Sequence, residues 1–174
     1  MQKNYFLNME RPNWDNYFLS IAFIVSARSR DQETKHGTVI VDKNNLILGT
    51  GYNSFIKGVD DTSLPSFRPN KYPYIIHSEL NAILNCKVIP REVQGGGKAY
   101  VTGRCCNHCL QSLIQSGVND IYIADRKGTA LEDQNTKKVF EKIIQQSGVN
   151  ITTLKFDLDW IKQIINFHEN SYNK

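Results

Sequence analysis

The segment "KYPYIIHSELNAILN" (71–85) decides how this chain reads. A short apolar helix begins there, and two titratable side chains, His77 and Glu79, stand at its entry. Residues two apart lie on opposite sides of a regular helix. They share a side only in extended chain or where a helix starts. The pair can therefore act together only if His77 opens the helix. Pro73 disfavours helical geometry in the residue before it, which predicts an extended approach to His77.

Working outward, "GTVIVD" (37–42) and "LILGTGYN" (46–53) are β-branched and apolar runs split by "KNN", the pattern of a hairpin. Before them, "NWDNYFLSIAFIVSARS" (13–29) carries Trp14, Tyr17, Phe18, Ile21, Ile24 and Val25 at helical spacing, with Asn13 or Asp15 near the cap. A polar loop is expected from Ser54 to Pro73. Loops of that length in compact domains are often functional. Downstream, strands are predicted at "KAYVTG" (98–103), "DIYIAD" (120–125) and "VNITTLKF" (149–156). They alternate with helices at "CNHCLQSLIQSG" (106–117), "NTKKVFEKIIQQSG" (135–148) and "LDWIKQIINFHEN" (158–170). The natural packing of this order is an α/β fold: a mixed sheet covered by helices on both faces, its later strands parallel.

At 174 residues the chain reads as one domain, 1–174. Its 21 basic and 17 acidic residues leave a net charge of +4. That surplus suits a small phosphate-bearing molecule. It is too thin and too scattered for nucleic acid. No apolar run reaches membrane-spanning length, and the opening residues lack a signal-peptide pattern, so a cytoplasmic protein is expected. In a reducing compartment, the three cysteines of "CCNHC" (105–109) point to a metal or to catalysis, not to disulfides.

His77, Cys106 and Cys109 form a three-ligand zinc set that leaves a fourth position for water. Cys106 and Cys109 are three apart and share one face of a helical turn. The positive end of that helix favours thiolate. Glu79 is then free to lean over the open position and move protons. H-x-E followed by P-C-x-x-C is the signature of zinc deaminases. The first half is complete here, whereas Cys105 stands where proline is expected. Cys105 therefore remains an alternative ligand, although its spacing favours Cys106. A redox pair, and a second structural zinc drawn from Cys86, Cys105, His36 and His108, also stay open. Otherwise His36 and His108 read as exposed or locally bonded, and Cys86 as a small buried hydrophobe.

These motifs, in this order from Arg11 to Phe156, resemble the deoxycytidylate (dCMP) deaminases of the cytidine deaminase-like superfamily. The resemblance implies a three-layer α-β-α sandwich around a five-stranded mixed sheet. It implies zinc-dependent hydrolysis of dCMP to dUMP and ammonia, which would supply dUMP for thymidylate synthesis. His77, Cys106 and Cys109 then hold Zn²⁺, and Glu79 shuttles protons between water, cytosine N3 and the departing amino group. Asn53 hydrogen-bonds the sugar, and Ser78 offers backbone contacts to the base. Arg28, Ser29 and Arg30 lie near the phosphate. The family also implies dCTP and dTTP as effectors, with Mg²⁺ accompanying a bound triphosphate, and a homohexamer. Two departures bear on this. "GYNSFIKG" (51–58) replaces the family's usual "GYNGxPxG" at its effector region, and "ADRKGTALED" (124–133) lacks the usual Tyr-His pair. Arg126 and Lys127 are expected to admit a longer phosphate tail, which predicts dCTP as a further substrate. The competing expectation is a base deaminase acting on tRNA or single-stranded DNA. A third reading is an inactive zinc module, which the intact Glu79 disfavours.

Overall fold

The computed structural model describes residues 11–126 and 133–172. Helix α1 (Trp14–Ser26) starts where Asn13 accepts the Asn16 N–H through Oδ1 at 2.8 Å. Its buried face runs through Phe18, Leu19, Ala22 and Ser26. This is rotated from the expected stripe: Trp14 and Ile24 are 48% and 59% exposed. Gly37 explains the rotation. A Cβ there would lie 1.9 Å from the Ala22 carbonyl oxygen, so the next strand docks against the backbone at Ala22 and turns that face inward.

Strand β1 (Gly37–Asp42) pairs antiparallel with β2 (Ile47–Tyr52), which confirms the hairpin. Asn45 turns the chain with φ 65°, the left-handed region asparagine tolerates. The expected loop then departs from prediction. Strand β3 (Ser54–Phe55) pairs with β4 (Ile75–Ile76), so a two-stranded ribbon ties off residues 56–74 at their ends. Pro73 also acts differently than expected. It sits in the first turn of a 3₁₀ helix (Tyr72–Tyr74), and only Ile75–Ile76 approach the next helix as extended chain.

Helix α2 (Ser78–Leu84) follows, then β5 (Gly97–Val101), α3 (Asn107–Ser116), β6 (Val118–Ala124), α4 (Gln134–Ser147), β7 (Asn150–Leu154) and α5 (Asp159–Tyr172). Gly117 ends α3 at φ 97°, a conformation that costs glycine nothing. The main sheet has the order β2-β1-β5-β6-β7, with β1–β5 antiparallel and β5–β6–β7 parallel. It is the expected five-stranded mixed sheet between helical layers.

One apolar cluster joins Phe18, Leu19, Val39, Tyr100 and Phe156 beneath α1, where Trp160 of α5 donates to Ser20 Oγ at 3.2 Å. The opposite cluster joins Ile40, Ala82, Leu110, Leu113 and Phe140 beneath α2, α3 and α4. Covered on both faces, all six residues of β1 are buried. Among the described residues no helix is long and apolar enough to cross a membrane.

Candidate active site

Helix α2 lies against β2 because β2 offers no side chain where they touch. A Cβ on Gly51 would come within 2.2 Å of the Ala82 nitrogen and 2.3 Å of the Ser78 oxygen. Two amides fix the register: Asn81 Nδ2 donates to Tyr52 O and Asn85 Nδ2 to Thr50 O, each at 2.8 Å. The start of α2 is thereby set over the sheet. His77 caps it in extended geometry (φ −71°, ψ 156°), and Glu79 follows in the first turn. Across the way, Cys106 caps α3 (φ −74°, ψ 167°), and its sulfur accepts the Cys109 N–H at 3.4 Å.

These two helix starts meet. His77 Nδ1 lies 3.6 Å from Cys106 Sγ and 3.4 Å from Cys109 Sγ. Nitrogen and sulfur ligands of one tetrahedral zinc, bonded at about 2.0–2.1 and 2.3 Å, stand about 3.5 Å apart. The donor set thus fits zinc in both chemistry and spacing. The Cys109 thiol, then His77, hydrogen-bonds Cys106 and lowers its thiol pKa, while the same contact pushes the Cys109 thiol up; the two sulfurs share one proton, which zinc must displace to take both as thiolates. Among the described residues this is the one such cluster of His, Cys, Asp and Glu. Cys105 is 1% exposed in the core, where burial raises its thiol pKa, so it stays protonated. Cys86 is half-buried and bonds the Ala82 carbonyl. His108 is exposed.

Glu79 is 4% exposed, and burial raises its carboxyl above the usual range. Its Oε2 accepts the Ser78 hydroxyl at 2.9 Å, and Ser78 Oγ is 2.9 Å from Thr38 Oγ1 on β1. The Ser78 side chain therefore orients the carboxylate, a role its sequence position did not disclose.

The cavity beside this cluster encloses about 620 Å³ when counted out to the solvent at its mouth. Asn53, 4% exposed, lies in its wall. Arg28 and Arg30 line an adjoining groove, which shares Asp31 and Ile75 with this cavity. Arg30 pairs there with Asp61 at 2.7 Å, and Ser29 is buried, with Oγ accepting the Asp31 N–H. The cations in the cavity wall are instead Arg68, Lys71 and Arg104. Arg104 lies 4.2 Å over the Phe140 ring, and its buried Nε has no hydrogen-bond partner. Asp31 and Lys71 form an ion pair at 2.6 Å, both nearly sealed from solvent. His36 lines the same wall. Burial, then Arg126, lowers its pKa to about 4. Arg126 Nη1 reaches Thr102 O at 3.4 Å, whereas Lys127 lies outside the described residues.

Fold and donor set together mark an α/β protein built to hold zinc beside a buried carboxyl group. Residues 12–125 match the family described as the cytidine and deoxycytidylate deaminase zinc-binding region, and the chain belongs to that family. It is 32% identical over 160 residues to the deoxycytidylate deaminase of Mus musculus, covering 88% of this chain and 85% of that protein. The Homo sapiens deoxycytidylate deaminase is 33% identical at the same coverage. A crystal structure of dCMP deaminase from cyanophage S-TIM5, in complex with dCMP and dUMP, shares the fold. Its TM-score is 0.63 at 22% identity, covering 83% of this chain and 99% of that one.

Proposed function

We propose that this chain hydrolyses dCMP to dUMP and ammonia, with zinc held by His77, Cys106 and Cys109. The observation that carries the reading is the junction of two helix starts, which brings His77 Nδ1 within 3.6 Å of both sulfurs beside a buried Glu79. The relatives named deoxycytidylate deaminase supply the substrate.

Bound there, zinc supplies the Lewis acidity that makes water a nucleophile near neutral pH. The protein's own part is proton movement and orientation. Glu79 takes a proton as the water oxygen adds to cytosine C4, and places it on N3. It then takes the second proton, from the new C4 hydroxyl, and delivers it to the amino group, which departs as ammonia as the C4 carbonyl closes. A carboxyl whose pKa is raised by burial suits both halves of that exchange, because it holds a proton readily and releases it to a stronger base. Ser78 keeps Oε2 in place throughout. Asn53 bonds the sugar, and Arg68 and Arg104 supply positive charge for the phosphate. The reading extends to dCTP as a second substrate, to dCTP and dTTP as effectors with Mg²⁺ accompanying the triphosphate, and to a homo-oligomeric, cytoplasmic enzyme. The effectors, the Mg²⁺ and the oligomer rest on the family resemblance, dCTP turnover on Arg126 and Lys127, and the location on the sequence pattern.

The test is ammonia release from dCMP by zinc-loaded protein, beside Glu79→Ala. The variant should keep about one zinc per chain and lose deamination by at least about 10²-fold. Unchanged turnover in the variant defeats the proton-shuttle assignment. Turnover of cytosine in single-stranded oligonucleotide, with none of dCMP, reassigns the substrate.

A further inference from the structure

Asn53 is spent almost entirely within the protein. Its Oδ1 accepts the His36 backbone N–H at 2.8 Å. Its Nδ2 donates to Asp31 Oδ2 at 3.1 Å and to the Thr34 carbonyl at 2.9 Å. The carboxamide cannot be turned over, since Asp31 and Thr34 offer only acceptors and His36 N–H only a donor. A primary amide has two donor hydrogens and two acceptor lone pairs. Three of these four are used, so the cavity meets one oxygen lone pair.

What holds Asp31 in that role is Lys71. Its ammonium lies 2.6 and 2.8 Å from the two Asp31 oxygens and 2.9 Å from Glu33 Oε2. Asp31 also accepts the N–H groups of Glu33 at 2.8 Å and Thr34 at 3.0 Å. Lys71 has a side chain 3% exposed, and its three N–H donors match those three oxygens. A cation so fully engaged has nothing left for a phosphate, although it lines the cavity. It arrives from the 56–74 loop, whereas Asp31 and Glu33 precede β1, so this single ion cluster fixes two cavity walls to each other.

We propose that Lys71 is a positioning residue. Through Asp31 it locks the Asn53 carboxamide so that the site presents a lone acceptor, which takes a sugar hydroxyl only as a donor. The proposal deepens the dCMP reading and rests on it. The 3′-hydroxyl is the only free sugar hydroxyl of dCMP, and hence the group selected. A 3′-deoxy analogue leaves that buried oxygen without a partner, which predicts a loss of about tenfold to a hundredfold in kcat/KM. A 3′-fluoro analogue, which accepts but cannot donate, should be as poor as the 3′-deoxy one.

The experiment measures ammonia release from dCMP and from its 3′-deoxy and 3′-fluoro analogues, using zinc-loaded wild type, Lys71→Met and Lys71→Arg. In Lys71→Met the KM for dCMP should rise about tenfold or more, with little change for the 3′-deoxy analogue. Discrimination then falls about tenfold or more, and Lys71→Arg restores part of it. A merely structural lysine would depress all three substrates alike and keep their ratio; that result overturns the proposal. Turnover of the 3′-fluoro analogue by wild type at the dCMP rate overturns it as well, and needs no variant to fold. Failure of wild type to act on dCMP at all brings down the underlying reading instead.

Discussion

Gly51→Ala tests whether the metal site depends on direct contact of backbones. The added methyl would sit 2.2 Å from the Ala82 nitrogen and 2.3 Å from the Ser78 oxygen, where ordinary contact begins at 3.4 Å. Both obstacles are main chain of one rigid helix, so no side chain can swing aside, and α2 must retreat by about 1 Å. Overpacking of this kind costs about 1–3 kcal/mol. The retreat carries His77 and Glu79 away from Cys106 and Cys109, which are anchored on a different strand–helix unit. A 1 Å misplacement near chemistry is worth about 10²-fold in rate. Urea unfolding of zinc-loaded protein, metal content and kcat on dCMP read the three effects. Gly148→Ala is the control: it strains a left-handed helix end with nothing within 4 Å, so it should cost stability while sparing zinc and kcat. Gly51→Ala with wild-type stability and turnover would refute the claim that this contact sets the site.

Two further predictions separate neighbouring groups. Cys106→Ala should abolish stoichiometric zinc, whereas Cys105→Ala should retain it and lose about 1 kcal/mol of stability, since that thiol is core filler; zinc lost from Cys105→Ala would reverse the ligand assignment. His36 gives an acid sensitivity of known sign. The unfolded chain binds its proton near pH 6.5 and the folded one near 4, so unfolding is favoured as pH falls between those values. The full difference is about 3 kcal/mol, complete below about pH 4. His36→Gln should flatten that limb of the stability–pH curve, and an unchanged limb would show that His36 is not its source.

Some of this architecture was plain in the sequence and some was not, for physical reasons. His77, Glu79, Cys106 and Cys109 were legible because the H-x-E and C-x-x-C spacings form a specific signature, each half beside the start of an apolar helical run. The order of elements along the chain and the parallel pairing of the later strands followed from the alternation of periods, whereas the order of strands within the sheet did not. The buried face of α1 was misjudged because Gly37, on a different element, decides which side docks. Pro73 was read as keeping the chain extended, yet proline fits the first turn of a 3₁₀ helix just as well. Lys71 and Asp31 were invisible as a pair: 40 residues separate them, and a lysine in a polar loop looks solvated until its partners are seen. The placement of Arg28 and Arg30 in a different groove from His77 had the same origin, since the turn after α1 decides which way they face.

The His–Cys–Cys cluster also has a bearing on assembly of the chain. Its imidazole follows the β1–β2 hairpin, which joins the rest of the sheet only through antiparallel pairing of β1 with β5, whereas both sulfurs belong to the β5–α3–β6 crossover. A metal ion spanning them acts as a rivet across that seam, and it can be captured in full only after the two pieces have found each other. Metal uptake followed in time during refolding therefore clocks the joining of the halves, separately from the folding of either one.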